Sequence, residues 1–263
     1  MNKYLHFHHL HNQPTLFKLL NAWDPLSAML LEQAGCAAIG TTSWGMANAR
    51  VQQDGESCSF ECFITQTKQI VDSVNIGVSV DMESGFSDDI ETICDNVLTI
   101  AKLGAVGINI EDSSKKTGQL RHINEQSLIL GAIRQSLDNA GYKQFFVNAR
   151  IDTALLAQHQ FSNTQARADA YAKAGADGIF IPGLTNPTQI ETLCKQLPVP
   201  VNMLALPTCY NSEALQNLGV KRLSFGNTFS DNCINLIQKQ VSKTLKCSDH
   251  GDLFQYNSIT LPF

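Results

Sequence analysis

The chain has 263 residues, 43% of them hydrophobic, with a formal charge of −5 and a pI near 5.8. That is enough apolar material for a large core, and the excess of acid over base excludes a nucleic-acid surface, which needs clustered Lys and Arg. Eight cysteines without Cys-x-x-Cys spacing point to free thiols in a reducing compartment; with neither a signal-peptide core nor a bilayer-length apolar segment, the expected setting is cytoplasmic, with no membrane partner.

The first feature in chain order is His6-Phe-His-His-Leu-His11, which precedes the first strand and is read as lying at an outer or bottom surface, where any metal binding is adventitious. Eight apolar runs follow, at 17–23, 37–43, 76–83, 106–111, 145–151, 178–181, 199–204 and 222–226, with helical patterns between them. Strands buried on both faces read as continuous apolar runs, and eight of them alternating with helices predict a closed parallel (β/α)8 barrel. No Gly-x-Gly-x-x-Gly turn follows the first run, which argues against a dinucleotide fold. Four helices end in one repeated phrase, around Gly35, Gly104, Gly175 and Gly219, each a helix stop before the next strand. No linker divides the chain, so 1–263 is expected to be one domain. Residues 232–246 read as an amphipathic helix, followed by a tail bearing Phe254, Tyr256 and Phe263; this C-terminal part, 231–263, suggests a subunit contact and a homo-oligomer, dimer or tetramer.

Chemistry in such a barrel sits at the carboxyl ends of the strands. The third run ends Val78-Ser-Val-Asp-Met-Glu-Ser-Gly85, and strand alternation turns Asp81 and Glu83 to one side. Two carboxylates so close need a cation, and oxygen ligands favour Mg²⁺, with Mn²⁺ as an alternative. Other strand ends add Asp24, Glu111, Asp112 and Asp152 around one arginine, Arg150. A solvated acidic turn or a rim of salt bridges would also account for these acids.

The phrases Asn21-Ala-Trp-Asp24, Thr41-Thr-Ser43 with Gly45, Asp54-Gly-Glu56, Asp81-Met-Glu83, Glu111-Asp-Ser113, Asn148-Ala-Arg-Ile-Asp152 and Pro200-Val-Asn-Met-Leu204 stand in an order that resembles the isocitrate lyase/phosphoenolpyruvate mutase superfamily, in its short phosphonomutase-like, 2-oxo-acid lyase branch. The resemblance implies a phosphoenolpyruvate/pyruvate-type TIM barrel with Mg²⁺, a small carboxylate substrate, and a C-terminal helix exchanged between subunits. It implies that Asp81 binds the metal directly, while Asp54, Glu83 and Glu111 hold it through water. It places the substrate against Thr41, Ser43, Trp44, Gly45, Asp81, Asn202 and Arg150, with Arg150 and Glu111 also catalytic. The implied chemistry runs through an enolate: cleavage of a carbon–carbon bond in a 2-oxo or 2-hydroxy carboxylate, with phosphonopyruvate P–C chemistry or a degenerate carboxylate-binding barrel as alternatives.

One departure matters. Lyases of the superfamily carry Lys-Lys-Cys-Gly-His on the loop after strand 4, with the cysteine as acid/base; here the stretch is Lys115-Lys-Thr-Gly-Gln-Leu120. Thr117 replaces the thiol and is far too weak an acid to exchange protons as a thiol does. His122 is the nearby alternative for proton transfer.

Overall fold

The structure, a computed structural model, describes residues 2–156, 159–209 and 211–254. The predicted barrel is present: β1 (Phe17–Ala22), β2 (Ala38–Thr41), β3 (Gly77–Asp81), β4 (Gly107–Glu111), β5 (Phe146–Arg150), β6 (Gly178–Phe180), β7 (Val201–Leu204) and β8 (Arg222–Ser224) pair in parallel in sequence order and close β8 onto β1. Helices α2 (Pro25–Gln33), α3 (Ser43–Ala49), α4 (Phe60–Asp72), α5 (Ile90–Lys102), α6 (Ile123–Asn139), α7 (Phe161–Lys173), α8 (Pro187–Gln196) and α9 (Ser212–Asn217) connect the strands, and α10 (Thr228–Thr244) follows β8. The four repeated glycines all have φ between +94° and +104°, the left-handed conformation that ends a helix and turns the chain into the next strand.

The strands are shorter than the apolar runs by one to three residues. Several of the trimmed residues, among them Met82, Val106, Phe145, Ile151 and Ile181, stay buried, so hydrophobicity overstates strand length at both ends. The consequence is largest after β3. The strand ends at Asp81, and Glu83, whose carbonyl still accepts from Glu111 N–H, adopts φ +50° in a turn, so strand alternation is not what brings Glu83 to the rim.

An N-terminal helix, α1 (Lys3–His11), is not foreseen by the strand pattern. It plugs the bottom of the barrel, where Phe7 and Leu10 pack with Phe17, Leu19, Ala38, Val106 and Phe146. The buried His11 ring stacks on Phe146 at 4.2 Å and its Nδ1 is 2.8 Å from the Phe7 carbonyl, so this imidazole is part of the core.

Above the plug the interior turns polar, unlike the branched apolar layers typical of such barrels. Arg222 on β8 donates to Asn109 on the opposite strand β4, and Asn148 on β5 donates to the same Asn109 oxygen, at 3.1 and 2.7 Å. The first of these bonds can form only across the barrel interior. A Cβ on Gly178 would come within 2.7 Å of Asn148 Oδ1, so a glycine leaves room for this layer. A second, larger core lies between the sheet and the helices. None of the eight cysteines is in a disulfide, and among the described residues no helix is long and apolar enough to cross a membrane.

Candidate active site

A cavity of about 230 Å³ opens at the carboxyl ends of the strands. Thr41, Ser43, Trp44, Asp54, Asp81 and Arg150 line it, together with Asn21, Asn109, Ser224 and a wall of Leu155, Phe180, Pro182 and Leu204. Each strand delivers its last inward residue to one rim, which is why residues scattered over the sequence meet here.

Asp81 is held from two sides. Its backbone N–H donates to Thr41 Oγ1 at 2.8 Å, and its Oδ2 accepts a long bond of 3.4 Å from the Ser43 N–H at the start of α3. Oδ1 is buried without a hydrogen-bond partner. Burial raises the Asp81 pKa, Arg150 opposes that and Asp54 adds to it.

Glu83 rides on a turn that needs bracing, since Glu83 and Phe86 both have positive φ. Glu56 supplies the brace: one of its carboxylate oxygens accepts from Ser84 N–H, Ser84 Oγ and Phe86 N–H, at 2.8, 2.7 and 3.0 Å, and its own N–H donates to Glu83 Oε1 at 3.0 Å. Burial, with the nearby Asp54 charge, pushes the Glu83 carboxyl up to about 7.

Glu111 ends β4 with almost no exposure and lies between two cations. Arg150 Nη1 is 3.0 Å from its Oε2, and Lys115 Nζ is 2.6 Å from its Oε1. Burial raises the Glu111 pKa, against the pull of both cations. Lys115 also reaches Glu83 Oε2 at 3.4 Å. Burial works against the Lys115 charge, but Glu111 and Glu83 outweigh it and raise its pKa. Arg150 gives Nε to Asp152 at 2.6 Å, and Asp152 in turn accepts from Ser113 Oγ at 2.6 Å. The rim thus holds Lys115 and Arg150 against Asp54, Asp81, Glu83, Glu111 and Asp152, so carboxylates outnumber cations.

That surplus of hard oxygen donors, with Asp81 Oδ1 orphaned at the cavity edge, fits a divalent cation. Among the described residues no three His, Cys, Asp or Glu side chains converge as direct ligands of one ion. The fit is therefore to an ion that keeps most of its waters.

Several sequence-derived positions lie elsewhere. Asn202 is buried in the interior layer, where its Oδ1 accepts from Ser224 Oγ, and it does not line the cavity. Gly45 is inside α3 with its N–H facing the capping hydroxyl of Thr42, and a Cβ there would meet Trp23 and Thr42 within 3 Å, so its role is close packing of the helix. Thr117 is exposed, its hydroxyl accepting from Gln119 N–H. His122 is exposed and caps α6 through Asn124 N–H. Neither brings an acid or base to the cavity, because the loop after β4 is short and pins itself through a Ser113–Leu120 bridge. Lys115 and Glu56 are the residues that sequence reasoning passes over. The signal for Lys115 was its place four residues after Glu111, with a turn between them.

Comparison with known proteins agrees with this geometry. The chain is 38% identical over 222 residues to an uncharacterised protein of Mycobacterium tuberculosis, covering 84% of this chain and 81% of that one. A Burkholderia cenocepacia J2315 structure described as a candidate phosphonomutase superposes with a TM-score of 0.86 at 35% identity, over 92% of this chain and 100% of that one. A phosphonopyruvate hydrolase solved with oxalate and Mg²⁺ superposes with a TM-score of 0.82 at 25% identity, over 94% and 88%. Relatives at 24–28% identity are named phosphoenolpyruvate phosphomutase, oxaloacetate decarboxylase, phosphonopyruvate hydrolase and 2-methylisocitrate lyase. A family model described as phosphoenolpyruvate phosphomutase matches residues 7–245, which takes in all eight strands and every carboxylate of the rim, and the chain belongs to that family of lyases and mutases.

Proposed function

We propose that this protein is an Mg²⁺-dependent lyase that cleaves a carbon–carbon bond in a small 2-oxo carboxylate through an enolate, with decarboxylation the favoured reaction. The observation that carries the reading is Asp81 Oδ1, buried and unpartnered at the edge of a small cavity whose other side presents Arg150. Asp81 would hold the ion directly and Asp54, Glu83 and Glu111 through water. Bound there, the ion supplies Lewis-acid polarisation of the substrate's carboxylate and 2-oxo oxygens.

The chain's own groups complete the site. Arg150 is fixed by Asp152 and Glu111, so its guanidinium meets a substrate carboxylate or a developing enolate without reorganising. The Ser43 N–H, held only weakly at 3.4 Å, is available to a substrate oxygen. Phe180, Pro182, Leu155 and Leu204 form an apolar side that excludes water from the carbon skeleton.

Decarboxylation is preferred for a specific reason. The Thr117 hydroxyl and His122 Nδ1 are engaged in local loop and cap bonds, and both residues are exposed outside the cavity. Cleavage of a 2-hydroxy acid needs a base to take the hydroxyl proton, whereas loss of CO₂ from the carboxylate β to the oxo group of a 2-oxo diacid such as oxaloacetate leaves an enolate that water can protonate. Phosphonopyruvate hydrolysis is the second reading, supported by the likeness to the hydrolase that holds oxalate and Mg²⁺.

The test is a panel of oxaloacetate, 2-methylisocitrate, isocitrate and phosphonopyruvate with Mg²⁺, following pyruvate and inorganic phosphate. Pyruvate from oxaloacetate is expected, and Asp81→Asn lowers it more than ~100-fold. Phosphate with pyruvate from phosphonopyruvate moves the assignment to hydrolysis. Silence on all four, with oxalate still bound, moves it to a carboxylate-binding barrel, and an Asp81→Asn variant of unchanged activity removes the metal assignment.

A further inference from the structure

Two thiols and a guanidinium meet on the outer surface where the segment after α3 enters α4. Cys58 stands just before the Ser59 cap of α4, and Cys62 lies in its first turn. The two thiols share one partner, the Arg50 guanidinium. Arg50, at the end of α3, places Nη2 3.2 Å from Cys58 Sγ and Nη1 3.6 Å from Cys62 Sγ, and Gln66 Oε1 holds Nη1 at 2.6 Å. Cys62 is exposed and opens on a surface depression of about 530 Å³, while Cys58 is half-buried. Burial raises the Cys58 pKa, so it is the thiol that waits in its protonated form.

We propose that Cys58 and Cys62 form a redox pair that a hydroperoxide converts to a disulfide. Two residues four apart inside a helix hold their Cβ atoms about 5–6 Å apart, longer than the ~3.8 Å a disulfide wants. Cys58, however, precedes the cap, so the helix does not fix its backbone, and a single guanidinium already draws both sulfurs to one spot. The Cys62 sulfur, which solvent reaches, attacks the terminal oxygen of the hydroperoxide. The O–O bond breaks, an alcohol (water, for hydrogen peroxide) leaves, and Cys62 becomes a sulfenic acid. The Cys58 sulfur then attacks the Cys62 sulfur and displaces the sulfenic oxygen as water, taking up the Cys58 proton. Two thiols lose two electrons, and the hydroperoxide gains them. Arg50 is a positioning residue here, holding both sulfurs from one side. The segment it closes carries Asp54 of the cavity and Glu56, the brace of the Glu83 turn, so the pair sits on the strap that shapes the rim.

The test needs only the intact protein, hydrogen peroxide and a thiol-alkylating reagent. Trypsin yields one peptide, residues 51–68, that contains both cysteines and no other, since no Lys or Arg interrupts it. After peroxide, that peptide is expected to resist alkylation at both positions and to weigh two hydrogens less than the reduced form, with full recovery on treatment with dithiothreitol. In Cys58→Ser the bond cannot form and Cys62 is expected to proceed to the sulfinic acid. Arg50→Met is expected to slow bond formation, and an unchanged rate would remove Arg50 from the proposal. If both thiols stay alkylatable at a peroxide dose that oxidises the exposed Cys233 and Cys247, or if Cys62 is overoxidised in the wild type while Cys58 stays free, the proposal fails.

Discussion

Lys115 alters what the acidic rim can do. Its Nζ spans Glu111 and Glu83 at 2.6 and 3.4 Å, so the protein carries a tethered cation against two of the carboxylates expected to orient a metal's waters. A lysine and a hydrated divalent ion place similar demands on those oxygens, and the two should compete. Lys115→Met leaves the buried Glu111 with Arg150 alone. In magnesium-free buffer the variant should lose roughly 1–3 kcal/mol, a value reduced because the lysine is partly exposed. Added magnesium should then raise its unfolding temperature more than that of the wild type, since the freed carboxylates favour the ion. Thermal unfolding with and without magnesium checks this, and an equal response in the two proteins would mean that lysine and metal do not share these oxygens. The same residue marks the limit of what sequence reveals about the site. Asp81, Thr41, Ser43 and Arg150 are legible because a barrel sends every strand end to one rim. Lys115, Thr117 and His122 sit on a loop whose path depends on the Ser113–Leu120 bridge, and no periodicity in the chain encodes that.

The elements themselves were largely readable: eight buried runs and four glycine helix stops specify strand number, order and class before any coordinate is known. What stayed hidden was the barrel's inside, because α1 has no clear apolar face in sequence and the polar layer interrupts the expected apolar filling. Both meet at His11. Burial, aided by the nearby Arg222 charge, pushes its pKa down from 6.5 to about 3. The folded protein therefore takes up this proton less readily than the unfolded chain. Its contribution to stability is whole above pH 6.5 and is lost as the pH falls toward 3. His11→Phe keeps an aromatic ring against Phe7, Phe17 and Phe146 while removing the titration, although it gives up the bond to the Phe7 carbonyl. Urea unfolding from pH 7 to pH 4 should show the wild type losing roughly 3 kcal/mol relative to the variant. Parallel pH profiles would indicate that α1 opens and lets the imidazole charge without cost to the barrel.

At the scale of the whole molecule, α10 is the part that the barrel leaves uncovered. Within this helix Ser230 is buried, whereas Ile234, Ile237 and Val241, with Leu245 at the cap that ends it, are spaced three and four residues apart on one side and are 40%, 63%, 52% and 82% exposed. Such a stripe is stable in water only if something covers it. A second copy of the chain is the expected partner, because an isologous contact lets the same stripe meet itself. The tail that carries Tyr256 and Phe263 lies outside the described residues, so the expectation rests on the helix. The first turn of α10 also touches the cavity wall, where Trp44 Nε1 donates to Asp231 Oδ1 at 3.1 Å. An assembly formed through α10 would thereby be linked to the site by one helix. Light scattering should give the wild type a mass that is a multiple of 28.8 kDa, and the double substitution Ile237→Glu with Val241→Glu should reduce it to a single chain, since each buried charge would cost several kcal/mol. Oxalate binding in magnesium, measured by calorimetry on the same two proteins, should weaken in the dissociated variant as α10 loosens and Trp44 loses its anchor. A wild type that is monomeric at tens of micromolar would leave the stripe without its partner, and unchanged oxalate affinity in a dissociated variant would separate assembly from the cavity.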